Sequence, residues 1–136
     1  GTILRLVPDL YEAWHAGKSK WKKTNFLNKK SIGIEIHNTG HKFKYEKFTL
    51  KQMNSLKKLI KKLIKIYNIN PINILGHSDI APLRKKDPGE KFPWKYLSKK
   101  KIGLWHDLNQ NFTQKKRNIE LKKNSWNAYC LVRMNE

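Results

Sequence analysis

The amino-acid sequence predicts an α/β fold in which helices pack on a mixed β-sheet. Three stretches predict it: an amphipathic helix from about Leu50 to Tyr67, an alternating apolar run at residues 31–37, and a short apolar run at residues 72–75. Strands that alternate with a helix in this way are typical of a sheet covered by helices. A chain of 136 residues is long enough for one domain with a hydrophobic core.

The first element expected along the chain is a strand. Ile3, Leu4, Leu6 and Val7 form an apolar run that Pro8 stops. A short aromatic segment follows at residues 9–15. Residues 17–30 contain six lysines and predict a surface loop.

Residues 31–37 predict a second strand. Ile32, Ile34 and Ile36 alternate with other residues and would face the core, which presents Glu35 on the opposite face.

The helix that follows has clear boundaries. Thr49 is a good N-cap, Gln52 completes a capping box, and Phe48 and Met53 can close over it as a hydrophobic staple. A core helix is favoured over one lying on a membrane, because strands flank it. The apolar stripe expected to be buried comprises Leu50, Met53, Leu56, Leu59, Ile60, Leu63, Ile64 and Tyr67.

Two shorter elements complete the pattern. The apolar run at residues 72–75 predicts a strand that ends at Gly76, and a loop rich in charge and proline follows it. A short helix is expected from Pro93 to Leu97.

The charge of the chain is strongly positive. Lys and Arg number 30 against 10 Asp and Glu, for a formal net charge of +20. Such a charge favours polyanions, namely nucleic acid, an anionic membrane or anionic wall polymers. The alternative is coding bias, because the excess is mostly Lys accompanied by many Asn and Ile. Both explanations stay open.

Cysteine content and hydropathy exclude two further classes. The single Cys130 excludes an intramolecular disulfide framework. No apolar run approaches the roughly 18 residues of a membrane span, so we expect no integral membrane segment. No signal peptide is visible either.

The most informative stretch is residues 76–89, which read GHSDIAPLRKKDPG. His77 and Asp87 carry an imidazole and a carboxylate, both good zinc ligands, and the loop between them can fold back so that they converge. Catalytic zinc normally takes three protein ligands. The spacing alone therefore leaves both a metal site and an ordinary surface turn open.

This stretch resembles the signature of the zinc-dependent N-acetylmuramoyl-L-alanine amidases, a group related to phage lysozyme-type amidases and peptidoglycan recognition proteins. Further matching segments follow in the same order, and together they cover roughly residues 1–105. They are AWHAG at residues 13–17, SIGIEI at residues 31–36, FPW at residues 92–94 and IGLW at residues 102–105.

The resemblance implies a peptidoglycan-amidase or recognition-protein-like fold and a metal-dependent enzyme with Zn²⁺ as cofactor. The reaction would be hydrolysis of the amide bond between N-acetylmuramic acid and L-alanine, in peptidoglycan or its muropeptide fragments. His77 and Asp87 would be metal ligands, Glu35 the catalytic base, and Lys85 the catalytic cation that stabilises the oxyanion.

The resemblance also implies substrate-binding residues. Trp14, His15, Asn38 and Arg84 are the candidates. For Trp14 the competing interpretation is packing in the core.

The first zinc ligand of the resembled family is a His that precedes the matched segments. We therefore expect residues 1–106 to be an N-terminally incomplete amidase domain and residues 107–136 to be a tail or a truncated accessory segment. The chain is expected to be a monomer, and the cell envelope (periplasm or outer membrane) is slightly favoured over the cytoplasm.

Two alternatives belong to other functional classes. A non-catalytic peptidoglycan-binding module has no need of Glu35 and Lys85 beside His77 and Asp87. A nucleic-acid binder is supported only by charge and leaves those residues without a role, so we expect no nucleic-acid partner.

Overall fold

The computed structural model describes residues 2–106. The predicted segment 107–136, with Cys130, lies outside the described residues, and the division at residue 106 stays a prediction. Described residues up to Leu104 belong to one compact unit, whereas Trp105 and His106 belong to a second. The rings of Trp105 and His106 stack with their centroids 4.6 Å apart.

The dominant element is helix α1, which spans Leu50–Tyr67 as predicted. The Thr49 hydroxyl accepts from the Gln52 N–H at 3.2 Å, and the Gln52 side chain accepts from the Thr49 N–H at 2.8 Å. This reciprocal pair satisfies two N–H groups at the helix start and confirms the capping box. Asn68 ends the helix in the left-handed conformation.

The core lies along one face of α1. Met53, Leu56 and Ile60 are buried there, with Phe92, Leu97 and Ile102 from the C-terminal part of the unit. Phe48, Ile34 and Ile36 pack partly buried against this cluster. Leu50, at 82% exposure, and Tyr67, at 43%, lie outside the core, so the predicted stripe was too long at both ends.

Two short helices position the chain after α1. Helix α2 spans His77–Ile80, and helix α3 spans Trp94–Ser98 after Pro93, as predicted for the last helix. The prediction of a non-helical loop directly after Gly76 was wrong for residues 77–80. The Asp79 carboxylate accepts from the Gly76 N–H at 2.7 Å and thereby stabilises one helical turn.

The regular sheet of the described chain is a small antiparallel hairpin. Strand β1, Lys20–Trp21, pairs with strand β2, Thr24–Asn25. Residues 17–30 were predicted as a loop. The hairpin was missed because its turn places Lys22 at φ 52 without the Asn-Gly signal that normally marks such turns.

The three predicted longer strands are not formed as ladders among residues 2–106. Residues 2–7 and 31–37 carry no regular element, and Pro71–Asn73 forms a 3-10 turn that Asn70 caps. A strand exists only through hydrogen bonds to a partner strand, and the described residues supply none to these segments. Ile3, Leu4 and Leu6 are therefore exposed.

The alternation at residues 31–37 nevertheless orients two of its three isoleucines toward the core, as expected. Ile34 and Ile36 pack against the core, whereas Ile32 is 44% exposed, contrary to prediction. The Gln52 amide donates to the His37 carbonyl at 2.6 Å and ties this segment to the start of α1.

No helix within residues 2–106 is both long enough and apolar enough to span a membrane.

Candidate active site

A broad cleft runs between the segment 31–38, one side of α1 and the loop 74–88. Most of the predicted site residues line it. They are Trp14, His15, Glu35, Asn38, His77, Lys85 and Asp87. Arg84 is the one predicted site residue that does not.

His77 and Asp87 converge as predicted. His77 is the first residue of α2, and the loop folds back so that the Ser78 N–H donates to the Asp87 carbonyl at 2.9 Å. The Nδ1 of His77 then lies 3.1 Å from the Oδ2 of Asp87. The His77 side chain is 16% exposed and that of Asp87 60%, so the pair is open to solvent on the carboxylate side.

The other nitrogen of His77 lies beside a backbone carbonyl. Its Nε2 lies 3.2 Å from the carbonyl oxygen of Ala16. Because a carbonyl can only accept, this contact is a hydrogen bond when Nε2 carries the proton, and in that neutral tautomer Nδ1 presents a lone pair to a carboxylate oxygen. Two acceptors so close repel each other unless a second proton or a metal ion lies between them.

This donor set fits a zinc ion. Two ligand atoms at about 2.0–2.1 Å from one tetrahedral zinc are about 3.3 Å apart, close to the observed separation. A zinc-bound His commonly donates its other ring N–H to a carbonyl, and the Ala16 carbonyl lies in that position beside His77 Nε2. Among residues 2–106, however, no group of three His, Cys, Asp or Glu side chains could hold a metal ion.

The Ala16 carbonyl is itself held in place. The Arg84 guanidinium donates to it at 2.7 Å and to the Lys18 carbonyl at 3.1 Å. The Asn28 side-chain oxygen accepts from the N–H groups of Ala16 and Gly17. Arg84 therefore fixes the backbone that orients His77, and its predicted contact with substrate stays a prediction.

Glu35 and Lys85 line the cleft from opposite elements. Glu35 is exposed on segment 31–37, and its isoleucine neighbours anchor that segment to the core. Lys85 is half-buried, and its N–H donates to the carbonyl of buried Ala81 at 2.9 Å. Their assignment as base and oxyanion donor stays a prediction.

The Trp14 side chain is 89% exposed, which excludes the alternative that it packs in the core. His15 is held by Ser31: its Nε2 lies 3.0 Å from the Ser31 carbonyl oxygen and 3.3 Å from the hydroxyl. Asn38 donates to the Glu46 carbonyl and accepts from the Gly40 N–H. Substrate contacts of all three stay predictions.

Several residues of the cleft were not predicted. Gly33 allows the His15 ring to lie against the backbone, since a Cβ there would come within 2.5 Å of that ring. His41 and Tyr45 also line the cleft beside the Asp87 loop. A glycine between two isoleucines was the available signal for Gly33, whereas nothing in the spacing of His41, Tyr45 or Asn28 indicated their contacts.

Comparison with known families adds an independent finding. The sequence profile described as N-acetylmuramoyl-L-alanine amidase matches residues 1–90. The N-acetylmuramoyl-L-alanine amidase AmiD of Escherichia coli K12 is 46% identical over 110 residues, covering 77% of this chain and 40% of that protein. The 1,6-anhydro-N-acetylmuramyl-L-alanine amidase AmpD of Enterobacter cloacae is 40% identical over 94 residues, covering 69% of this chain and 48% of AmpD.

A solved structure of an amidase has a similar fold. The complex of E. coli AmiD with anhydro-N-acetylmuramic acid-L-Ala-D-γ-Glu-L-Lys superposes with a TM-score of 0.76 at 32% identity, over 98% of this chain and 63% of AmiD. This likeness confirms the predicted mixed α/β, amidase-like fold. The chain spans half or less of the length of the two curated relatives.

Proposed function

The chain belongs to the N-acetylmuramoyl-L-alanine amidase family, and from this premise we propose that it hydrolyses the amide bond between N-acetylmuramic acid and L-alanine, in peptidoglycan or its muropeptide fragments. The observation that carries the proposal is the convergence of His77 and Asp87 in the cleft that Glu35 and Lys85 also line. For the compartment, the cell envelope stays slightly favoured over the cytoplasm.

The proposed cofactor is Zn²⁺, with His77 Nδ1 and Asp87 Oδ2 as its two protein ligands among the described residues. When bound, zinc would supply Lewis acidity, which lowers the pKa of a coordinated water toward about 7. The Ala16 carbonyl keeps the His77 ring in the tautomer that leaves Nδ1 free to coordinate.

Glu35 is proposed as the proton carrier. Its carboxylate takes a proton from the attacking water as the new C–O bond forms, and gives it to the amide nitrogen as the C–N bond breaks. The products are a carboxylic acid on the muramic acid side and the free amine of L-alanine. Lys85 lines the same cleft, and its ammonium is proposed to stabilise the negative charge on the carbonyl oxygen during this exchange.

Trp14 is proposed as a substrate platform. An exposed indole at the cleft offers a flat apolar face to a sugar ring or a peptide side chain. The His15–Ser31 contact holds the adjacent backbone against segment 31–33 and so fixes where that face lies.

The test is cleavage of a muramyl peptide, followed by mass spectrometry of the released alanine amine. We expect cleavage that a chelator abolishes and that Glu35→Gln lowers by roughly 10²–10⁴-fold, the usual contribution of a general base. Glu46→Gln is the matched control, because Glu46 is an acidic residue of the same region outside the cleft lining. Substrate binding without cleavage in the unaltered protein would favour the non-catalytic binding module instead.

A further inference from the structure

Tyr45 makes a contact that the proposed chemistry does not use. Its hydroxyl donates to the Pro88 carbonyl at 2.6 Å and accepts from the Lys91 N–H at 3.2 Å. One phenol oxygen thus bridges the two ends of the turn at residues 88–91. That turn begins directly after Asp87, a proposed metal ligand.

His41 also contacts the turn at residues 88–91, beside Tyr45. The His41 and Tyr45 rings lie with their centroids 4.4 Å apart, and His41 Nε2 is 2.8 Å from Glu90 Oε2. Gly89 lies beneath both rings with φ +81, and a Cβ on it would come within 2.7 Å of the Tyr45 hydroxyl oxygen. The turn is therefore held by two side chains from segment 41–45.

Tyr45 is in turn connected to the core by aromatic packing. Its ring meets Phe48 edge to face at 6.4 Å, and Phe48 meets buried Phe92 in the same way at 5.1 Å. Phe48 immediately precedes the Thr49 cap of α1. The position of the phenol oxygen is thus set by the rigid part of the fold.

Pro88 also contacts the other proposed ligand segment. A Cβ added at Gly76 would lie 2.7 Å from the Pro88 ring, so Pro88 packs directly on the residue before His77. The turn is held by Tyr45 on one side and abuts Gly76 on the other. The separation of His77 and Asp87 therefore depends on where Pro88 lies.

We propose that Tyr45 is a positioning residue for the metal site: by fixing the Pro88 carbonyl, it holds Asp87 at coordinating distance from His77. The proposal rests on the proposed function, because it takes His77 and Asp87 as zinc ligands. It assigns Tyr45 no contact with substrate and no proton transfer. Burial raises the pKa of Tyr45, so the hydroxyl keeps the proton that it donates to Pro88.

The test compares Tyr45→Phe with the unaltered protein in three measurements. These are zinc affinity by chelator competition, the visible absorption spectrum of the Co²⁺-substituted protein, and hydrogen exchange of the Lys91 amide without metal. We expect roughly 10-fold weaker zinc binding, at the low end for loss of a group that orients a metal ligand, with an altered Co²⁺ spectrum and faster Lys91 exchange. Tyr96→Phe, which removes a hydroxyl from α3, should change none of them.

Gly89→Ala perturbs the same contact from the opposite side and should reproduce the loss of zinc affinity. It replaces Tyr45→Phe if that variant does not fold. Unchanged zinc affinity and Co²⁺ spectrum in a variant whose Lys91 amide has become exposed would overturn the proposal.

A failure of the proposed function would give a different result from a failure of the Tyr45 proposal. If the unaltered protein takes up no zinc, the metal assignment of His77 and Asp87 fails. The Lys91 exchange measurement still judges the Tyr45 contact, because unchanged protection in Tyr45→Phe would overturn it without any metal.

Discussion

The two nitrogens of His77 have different partners, and this difference determines what the site can bind. Nε2 faces the Ala16 carbonyl, which fixes its proton, and Nδ1 faces the Asp87 carboxylate. This pairing favours a cation between the two side chains. Arg84 and Asn28 stabilise the arrangement by holding the Ala16 backbone.

The raised pKa of Tyr45 predicts that the free energy of unfolding depends on pH. Desolvation raises its pKa above 10.0, with a smaller raising effect from Glu90 and an opposing hydrogen bond from the Lys91 backbone. Because the unfolded tyrosine ionises near 10 and the folded one later, the stability that Tyr45 contributes is full below pH 10 and is lost as pH rises through the folded pKa.

The measurement is the free energy of unfolding in urea, for the unaltered protein and Tyr45→Phe, from pH 8 to pH 11.5. At pH 8 we expect the unaltered protein to be more stable by about 1 kcal/mol, the usual contribution of a hydrogen bond. This difference should shrink above pH 10. Ionisation of the lysines away from Tyr45 affects both proteins and cancels, whereas the Lys91 ammonium lies 4.9 Å from the Tyr45 ring centroid. Tyr96→Phe is the matched control. A difference that is constant with pH would contradict the assignment.

At the residue scale, the sequence predicted residues that line the cleft better than the contacts that hold them in place. His77 and Asp87 converge because the loop between them folds back, and the metal site that their residue types suggested stays a prediction. The contacts of Asn28 and Tyr45 join residues far apart in the chain through backbone groups, and His41 contacts the side chain of Glu90. Contacts of these kinds leave no pattern in side-chain spacing.

Helix α1 is the element on which the cleft depends. It buries one face in the core, and its capping residue Gln52 also binds the end of segment 31–37. Glu35 is thereby placed by the start of α1 as well as by its own isoleucine neighbours. The lysines of α1 lie mostly away from the core, in keeping with the predicted amphipathic pattern.

Loss of the α1 cap should destabilise the fold. Thr49→Ala removes the hydroxyl that accepts from the Gln52 N–H, and we expect the free energy of unfolding to fall by about 1 kcal/mol. Thr49→Ser retains the hydroxyl, and its free energy of unfolding should fall by much less. Urea unfolding of the two variants measures the difference. Equal stabilities would show that the capping box does not stabilise α1.

Helices and strands were predictable from the sequence where the residues of the element itself determine its formation. Helix α1 has a cap, a staple and a complete helical period, and α3 follows a proline, so both were predicted correctly. Strands depend on a partner elsewhere, and apolar alternation at residues 31–37 indicates a face without supplying that partner. The β1–β2 hairpin and the turn of α2 are held by contacts that could not be predicted from their residue types.

At the scale of the whole molecule, the conclusion combines two independent lines. The family match covers residues 1–90 and therefore includes every predicted site residue. The cleft brings seven of those residues together within one compact unit. The formal charge of +20 suits a polyanionic environment, and coding bias explains it equally well.

The central claim is that His77 and Asp87 hold zinc for amide hydrolysis. The most direct test measures zinc by elemental analysis and muramyl-peptide cleavage on the same purified samples of the unaltered protein, Asp87→Ala and Glu12→Gln. Because the described residues offer two of the three usual ligands, zinc is supplied in excess; we predict bound zinc and cleavage in the unaltered protein and in Glu12→Gln, and loss of both in Asp87→Ala. Cleavage that persists in zinc-free protein, or zinc content unchanged by Asp87→Ala, would contradict the claim.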